Sequence, residues 1–285
     1  MEDTFIINYL PGEHAIQKLN GTTKIVLLIA NLLLIMLTFD VRILTTAFLI
    51  NFCLLLSEKP KWQTVKAVTW FVIWMNVVNV AMMFLVSPNI GSTTIGQSTV
   101  LFSLTNNFPV TAETVFYLSV RLLKVFSMFV ASLWFILAIT PSQLAEGLYR
   151  LHVPYKVCTV MSLGLRSIPD IMRDYKTIKN SLQMRGLELD KKKSSMIQRV
   201  RLSVKILMPL LMATFNKVGT ISTAMELRLY GIKKQRSYYT YQKPLKLDWT
   251  FRVLAIIEIV FAITYLFIEV FVIRGGLSYV WYPGK

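Results

Sequence analysis

The sequence predicts an all-α integral membrane protein with about five transmembrane helices and a cytoplasmic insert of two long helices. Three observations predict it. Only 16% of the 285 residues are charged and 54% are hydrophobic, where a soluble domain carries about 25% charge. The apolar residues fall into long runs and the mean hydropathy is +0.54, the pattern that membrane spans produce. The formal net charge is +16, and 20 of the 31 basic residues, with only 7 of the 15 acidic ones, lie within 142–249. Lys and Arg collect in the cytoplasmic segments of membrane proteins and face anionic lipid there, so the basic stretch is a cytoplasmic insert. In a soluble chain the same charge would point to nucleic acid; here the partner it implies is the bilayer, and no nucleic acid is expected.

The chain therefore divides into N-terminal transmembrane helices over 1–140 (about four spans), a cytoplasmic region over 141–248, and a final transmembrane helix with its tail over 249–285. The N-terminus, "MEDTFIINYLPGEHA", is acidic and polar and does not read as a signal peptide. The runs "IVLLIANLLLIMLTF" (25–39) and "ILTTAFLINFCLLL" (43–56) are together too long for one span of about 20 residues and slightly short for two. Two closely joined spans with a tight turn at Asp40 are favoured over one long tilted helix. "AVTWFVIWMNVVNVAMMFLV" (67–86) supplies a full span, and Asn76 and Asn79 share a face of it, expected to point at protein. Residues 87–110 contain no charge and read as an external or interfacial excursion.

The segment 114–139 returns through the membrane and carries Arg121 and Lys124 in its first half. Glu258, on the last span at 251–273, is the candidate buried partner of one of these bases. Thr140, Pro141 and Gln143 spell a helix start, the capping box with proline at the first helical position, and Pro154 ends that short helix. One long helix then runs from about 156 to 185 through Pro169 and stops at Gly186, a left-handed cap. A second runs from about 195 to 230, with Pro209 inside and Gly231 as its cap. On it Val200, Val204, Leu207, Leu211 and Phe215 repeat at helical spacing, one apolar stripe for helix packing or a membrane partner.

Catalytic and metal-binding patterns are not found in the sequence. It has no glycine-rich phosphate loop ending in Lys-Ser/Thr, and its two histidines, His14 and His152, stand far apart. Cys53 and Cys158 read as buried or lipid-facing thiols. Glu258 and Glu269 are 11 residues apart on one helix, about 16 Å of rise, too far for a hydrolytic carboxylate pair. No catalytic residue, metal site or cofactor is assigned to the chain.

What stands out instead is a pair of arginines at helix ends: Arg185 in "QMRG" and Arg228 in "MELRLYG", 43 residues apart. With them the chain resembles the transmembrane T component of energy-coupling factor (ECF) transporters. That family opens with a Tyr-x-Pro-Gly element and then His-x-Leu-Asp-Pro-Arg-x-Lys. This chain keeps Tyr9, Pro11, Gly12, Leu19 and Lys24, with Gln17 for the histidine and "NGT" (20–22) for Asp-Pro-Arg. "LGLRSIPDI" (163–171) is similar to the family's Leu-Arg-Phe-Ile-Pro segment. Met184, Arg185 and Gly186 stand where the family has Ala-Arg-Gly at the end of its first coupling helix. "AMELRLYG" stands where the second reads Ala-Met-Glu-Ala-Arg-Gly-Phe/Tyr-Gly, so Glu226, Leu227, Arg228, Leu229 and Gly231 fill its places. Leu229 replaces an inner glycine, and Arg228 is two residues further from Gly231 than Arg185 is from Gly186; the two ends are expected to differ in shape.

The resemblance implies a non-enzymatic subunit of an ATP-driven importer of vitamins or metal ions, cobalt or nickel among them, in a prokaryotic plasma membrane. Its N-terminus and coupling helices would be cytoplasmic. The two helix ends would dock onto two ABC-type ATPase subunits, which bind the ATP and Mg, and a small membrane S component would select the substrate. Two other readings are weighed against it: a conventional ABC permease with its own translocation path, and a membrane-anchored regulatory protein with a basic insert.

Overall fold

The computed structural model describes residues 19–58, 62–95, 99–105, 108–186, 196–232 and 244–272. The elements at Tyr9–Gly12 and Gln17, His14, the lysine run at 191–193 and the basic, aromatic stretch at 233–243 lie outside them. In chain order the elements are α1 (Gly21–Leu37), α2 (Val41–Ser57), α3 (Trp62–Val86), α4 (Ile90–Ile95), β1 (Val100–Thr105), β2 (Phe108–Thr111), α5 (Ala112–Ala138), α6 (Pro141–Arg150), α7 (Tyr155–Met184), α8 (Met196–Leu227) and α9 (Lys246–Phe267), which continues as a π-helical turn at Ile268–Val272. The described residues fall into two compact units: α7 with α8, and everything else.

The run 25–56 forms two helices of 17 residues, each about 26 Å long and so just short of a bilayer core. Asp40 makes the turn between them by accepting the Arg42 N–H at 3.0 Å, the N-cap of α2. Among the described residues, four helical stretches are long and apolar enough to cross a membrane: Val65–Val86, Ala112–Ala138, Ser203–Leu227 and Lys246–Phe271. Three are expected spans. The other lies in α8, which the sequence places in the insert.

The excursion after α3 is not wholly helical. β1 and β2 pair antiparallel, Val100 opposite Thr111 and Thr105 opposite Phe108, with irregular register between. The Glu113 carboxylate anchors this region by accepting the Thr99 hydroxyl at 2.6 Å and the Thr99 N–H at 3.1 Å.

One end of the larger unit is stapled by buried polar groups. Lys24, fully buried, donates to the Ala138 carbonyl at 2.6 Å and to Gln143 Oε1 at 3.3 Å, tying α1 to the end of α5 and to α6. The Asp248 carboxylate accepts the Asn20 N–H (2.8 Å), the Thr23 hydroxyl (2.9 Å) and the Leu245 N–H (2.9 Å), tying α9 to α1. The capping box forms as expected, with Thr140 and Gln143 exchanging bonds and Pro141 in the first turn. The backbones of α1 and α6 touch: a Cβ on Gly21 would lie 2.0 Å from the Gln143 carbonyl oxygen. These contacts bring the start of α1, the end of α5, all of α6 and the start of α9 to one end of the unit.

Lys24 thus holds three elements together. Replacing it with methionine keeps the stem and strands the Ala138 carbonyl, so Lys24→Met is expected to lose about 2 kcal/mol of stability, read by chemical unfolding in detergent.

α9 meets the rest of the unit along a narrow seam. Its buried residues Asp248, Ala255, Ala262 and Glu269 are seven apart; alanine in the middle lets α1 approach closely, and an acid closes each end. The apolar core lies beside it, with Trp134, Val130, Leu27, Ala30 and Leu55 packed together. Two sequence expectations are corrected here. Glu258 does not pair with Arg121 or Lys124: its carboxylate accepts from Asn31 Nδ2 at 3.4 Å, and Asn31 Oδ1 in turn accepts from Asn51 at 2.7 Å. Lys124 instead donates to the Met36 carbonyl at 2.7 Å and stands 3.4 Å above the Phe39 ring. Asn76 and Asn79 also part company. Asn76 is buried and Asn79 is exposed, because the inward face of α3 passes through buried Val65 and Asn76 and half-buried Val80.

Candidate functional site

The two arginines lie in the smaller unit, at the C-terminal ends of α7 and α8. Both helices run unbroken through their prolines, Pro169 and Pro209. They are antiparallel: the ring of Tyr155, at the start of α7, lies 5.9 Å from that of Tyr230, just past the end of α8, and an ion pair joins Lys217 of α8 to Asp174 of α7. Arg228 therefore sits beside the beginning of α7. Arg185 ends the same helix 30 residues later, about 45 Å away along its axis.

The two ends have the same backbone. Arg185 is the C-cap residue after Met184, with its N–H on the Ser181 carbonyl at 3.2 Å; Gly186 follows at φ +81° and donates to the Gln183 carbonyl at 3.0 Å. Arg228 donates to the Ala224 carbonyl at 3.2 Å; Leu229 follows at φ +56° and donates to the Glu226 carbonyl at 2.9 Å. Tyr230 then donates to the Met225 carbonyl at 2.9 Å, which completes a Schellman turn. This corrects the reading of Gly231 as the cap of α8, while the bulk of Leu229 still sets the two ends apart. The residue that matches Gly186 is Leu229, and Gly231, also left-handed at φ +95°, comes after the cap and does not form it. The family's inner glycine has its physical reason here, since a left-handed cap position favours a residue without Cβ. Leucine there costs about 1 kcal/mol, so Leu229→Gly is expected to stabilise the end of α8 by about that much, measured as slower amide exchange over Met225–Tyr230.

Both ends project from the chain. Met184 and Leu227, each immediately before its arginine, are 88% and 80% exposed. Arg185, Gly186, Glu226, Arg228 and Gly231 are exposed too, and Leu229 is 63% exposed. Among the described residues no carboxylate pairs with either guanidinium. Each helix end thus offers an apolar side chain beside a planar cation with several free donors, a combination suited to a partner that brings carboxylates or carbonyls.

The α8 stripe is uncovered. Val204, Leu207, Leu211 and Phe215 are all exposed, as are Met208, Met212, Val218 and Ile221 around them, so among the described residues much of this face is left open; Val200 lies in the first turns, of whose side chains nothing is described. Sequence reasoning missed a feature of this surface. Gly164 on α7 and Gly219 on α8 are exposed, in mid-helix, with open space where a Cβ would stand. Gly219 follows Phe215 by one turn, and Gly164 lies on the face that carries Val157, Val160, Met161 and Ile168. Glycine inside an apolar helical run was the available signal. By contrast Cys158, near the start of α7, is buried against the Val153 carbonyl, and burial pushes its thiol above the ordinary range.

The fold and these ends define a multi-pass helical membrane protein built to present two distant cationic helix termini. Comparison with known proteins agrees. The profile of the CbiQ family, described as cobalt transport protein, matches residues 12–239. An energy-coupling factor transporter transmembrane protein EcfT from Bacillus selenitireducens is 25% identical over 248 residues, covering 84% of this chain and 88% of the relative. EcfT of Streptococcus equi is 27% identical over 286 residues, covering 94% and 97%. EcfT of Streptococcus thermophilus is 31% identical over 111 residues, 36% of this chain and 41% of its own. The chain belongs to the CbiQ family, and within it is an EcfT/CbiQ-like T component, a membrane component of ECF transporters.

Proposed function

We propose that the chain is the scaffold and energy-coupling subunit of an ATP-driven importer of vitamins or metal ions. One observation carries the reading: two exposed arginines occupy the same cap position at opposite ends of an antiparallel helix pair about 45 Å apart along α7. That is a spacing for two separate partners, one at each end. Each arginine enters a groove of an ABC-type ATPase, where its guanidinium meets carboxylate or carbonyl oxygens. ATP and Mg are bound and hydrolysed there, and this chain transmits the motion and catalyses nothing. The uncovered apolar faces of α7 and α8 receive a small membrane S component, with Gly164 and Gly219 as points where its backbone comes closest. The helix pair and the N-terminus face the cytoplasm.

Purification of the tagged chain from its native membrane tests this. Two ATPase subunits and one small membrane protein are expected with it. Substrate binding by a complex without the small protein would favour a conventional permease instead, a reading to which the membrane-crossing length of Ser203–Leu227 lends weight. The glycines add a second check. Gly164→Ala and Gly219→Ala are each expected to stabilise the isolated chain by about 0.5–1 kcal/mol, since alanine is the better helix former and meets open space. In the complex the same changes are expected to weaken retention of the small membrane protein. Unchanged retention would place its closest approach elsewhere.

A further inference from the structure

We infer that Leu229 is the residue by which the ATPase partners tell the two helix ends apart, so that the groove taking α8 has an apolar pocket that the groove taking α7 lacks. This rests on the coupling reading above and goes a step past it.

The backbone cannot be the discriminator, because Arg185 and Arg228 share a cap position and are each followed by a left-handed residue with the same hydrogen bond back into the helix. The difference is the side chain carried at that left-handed position. At the end of α7 it is absent, although nothing lies within 4 Å of where a Cβ on Gly186 would be. At the end of α8 it is an isobutyl group held in a backbone conformation that disfavours it, and 63% of the residue faces out. Burial therefore does not account for leucine there. Around Arg228 it joins the exposed apolar side chains of Leu227 (80%) and Ile232 (71%). A flat, close approach over Gly186 suits one partner surface. A cavity for a branched side chain next to the arginine's acceptor suits another, and a groove shaped for either excludes or underfills with the other.

The test uses the full chain in membranes with both ATPases, measuring the affinity of each for wild type, Leu229→Gly, Gly186→Leu and Arg228→Glu. Leu229→Gly is expected to lose about tenfold in affinity for one ATPase only, while the end of α8 becomes more protected from amide exchange; a purely structural role would move both in the same direction. Gly186→Leu is expected to weaken the other ATPase. If Arg228→Glu releases one ATPase and Leu229→Gly binds it as tightly as wild type, Leu229 is no discriminator though the coupling reading stands. If Arg228→Glu itself leaves both bound, the coupling reading falls and this inference with it. A single ATPase species binding both ends with equal affinity also overturns it.

Discussion

Charge reversal of Arg185 and Arg228 together is expected to strip both ATPases from the membrane complex and to abolish ATP-dependent uptake, while the chain itself stays folded in the membrane. Both side chains are exposed and make no ion pair among the described residues, so the chain's own stability should change little. Interface arginines of this kind are frequent hot spots, about 2 kcal/mol or more when truncated, or roughly thirtyfold in affinity per end, and a carboxylate facing the partner's acceptors adds repulsion to that loss. Each single variant is expected to release mainly the ATPase at its own end, because the other arginine lies at the far end of the helix pair. Copurification of each ATPase, with uptake assayed in parallel, decides the matter. Normal assembly and transport in the double variant would remove the arginines from the mechanism.

The second large effect concerns folding. Gly21→Ala places a methyl group 2.0 Å from the Gln143 carbonyl oxygen and 2.7 Å from its carbon, and neither is a flexible side-chain tip that can swing away. α1 must move off α6, and the Lys24 bond to Ala138 moves with it. A cost of about 3 kcal/mol is expected, read as a lower denaturation midpoint in detergent. Gly164→Ala, made in parallel, is expected to shift the midpoint the other way. Equal behaviour of the two would mean that α1 and α6 are not in backbone contact.

Much of the fold was legible because its signals are local. The turn at Asp40, the capping box at Thr140, the helix ends near Arg185 and Arg228 and the apolar runs all follow from short-range chemistry. What the sequence misassigned depends on which residues meet across helices. Glu258 belongs with Asn31 and Asn51 and not with the bases of α5, a pairing set by how α9 rotates on its heptad seam. The hairpin at Val100–Thr111 escaped notice in a segment too short and uncharged to show a strand period. The arginine ends were found as a motif, but their equivalence was not, since the letters put Gly231 where a cap was expected and only the positive φ of Leu229 shows which residue turns the chain. Lys24, met first as a retained motif residue, proves to be a buried fastener.

The antiparallel course of α7 and α8 has a mechanical consequence. Two partners that each grip one end hold the pair as hands hold the opposite ends of two sliding rules. If such partners drew together, neither helix would simply be pushed; the load would run along the interface between them as shear. Among the contacts along that interface are an ion pair at mid-length and two tyrosine rings at one end. On the coupling reading proposed above, the joint between the helices, more than either helix, would take up the stroke.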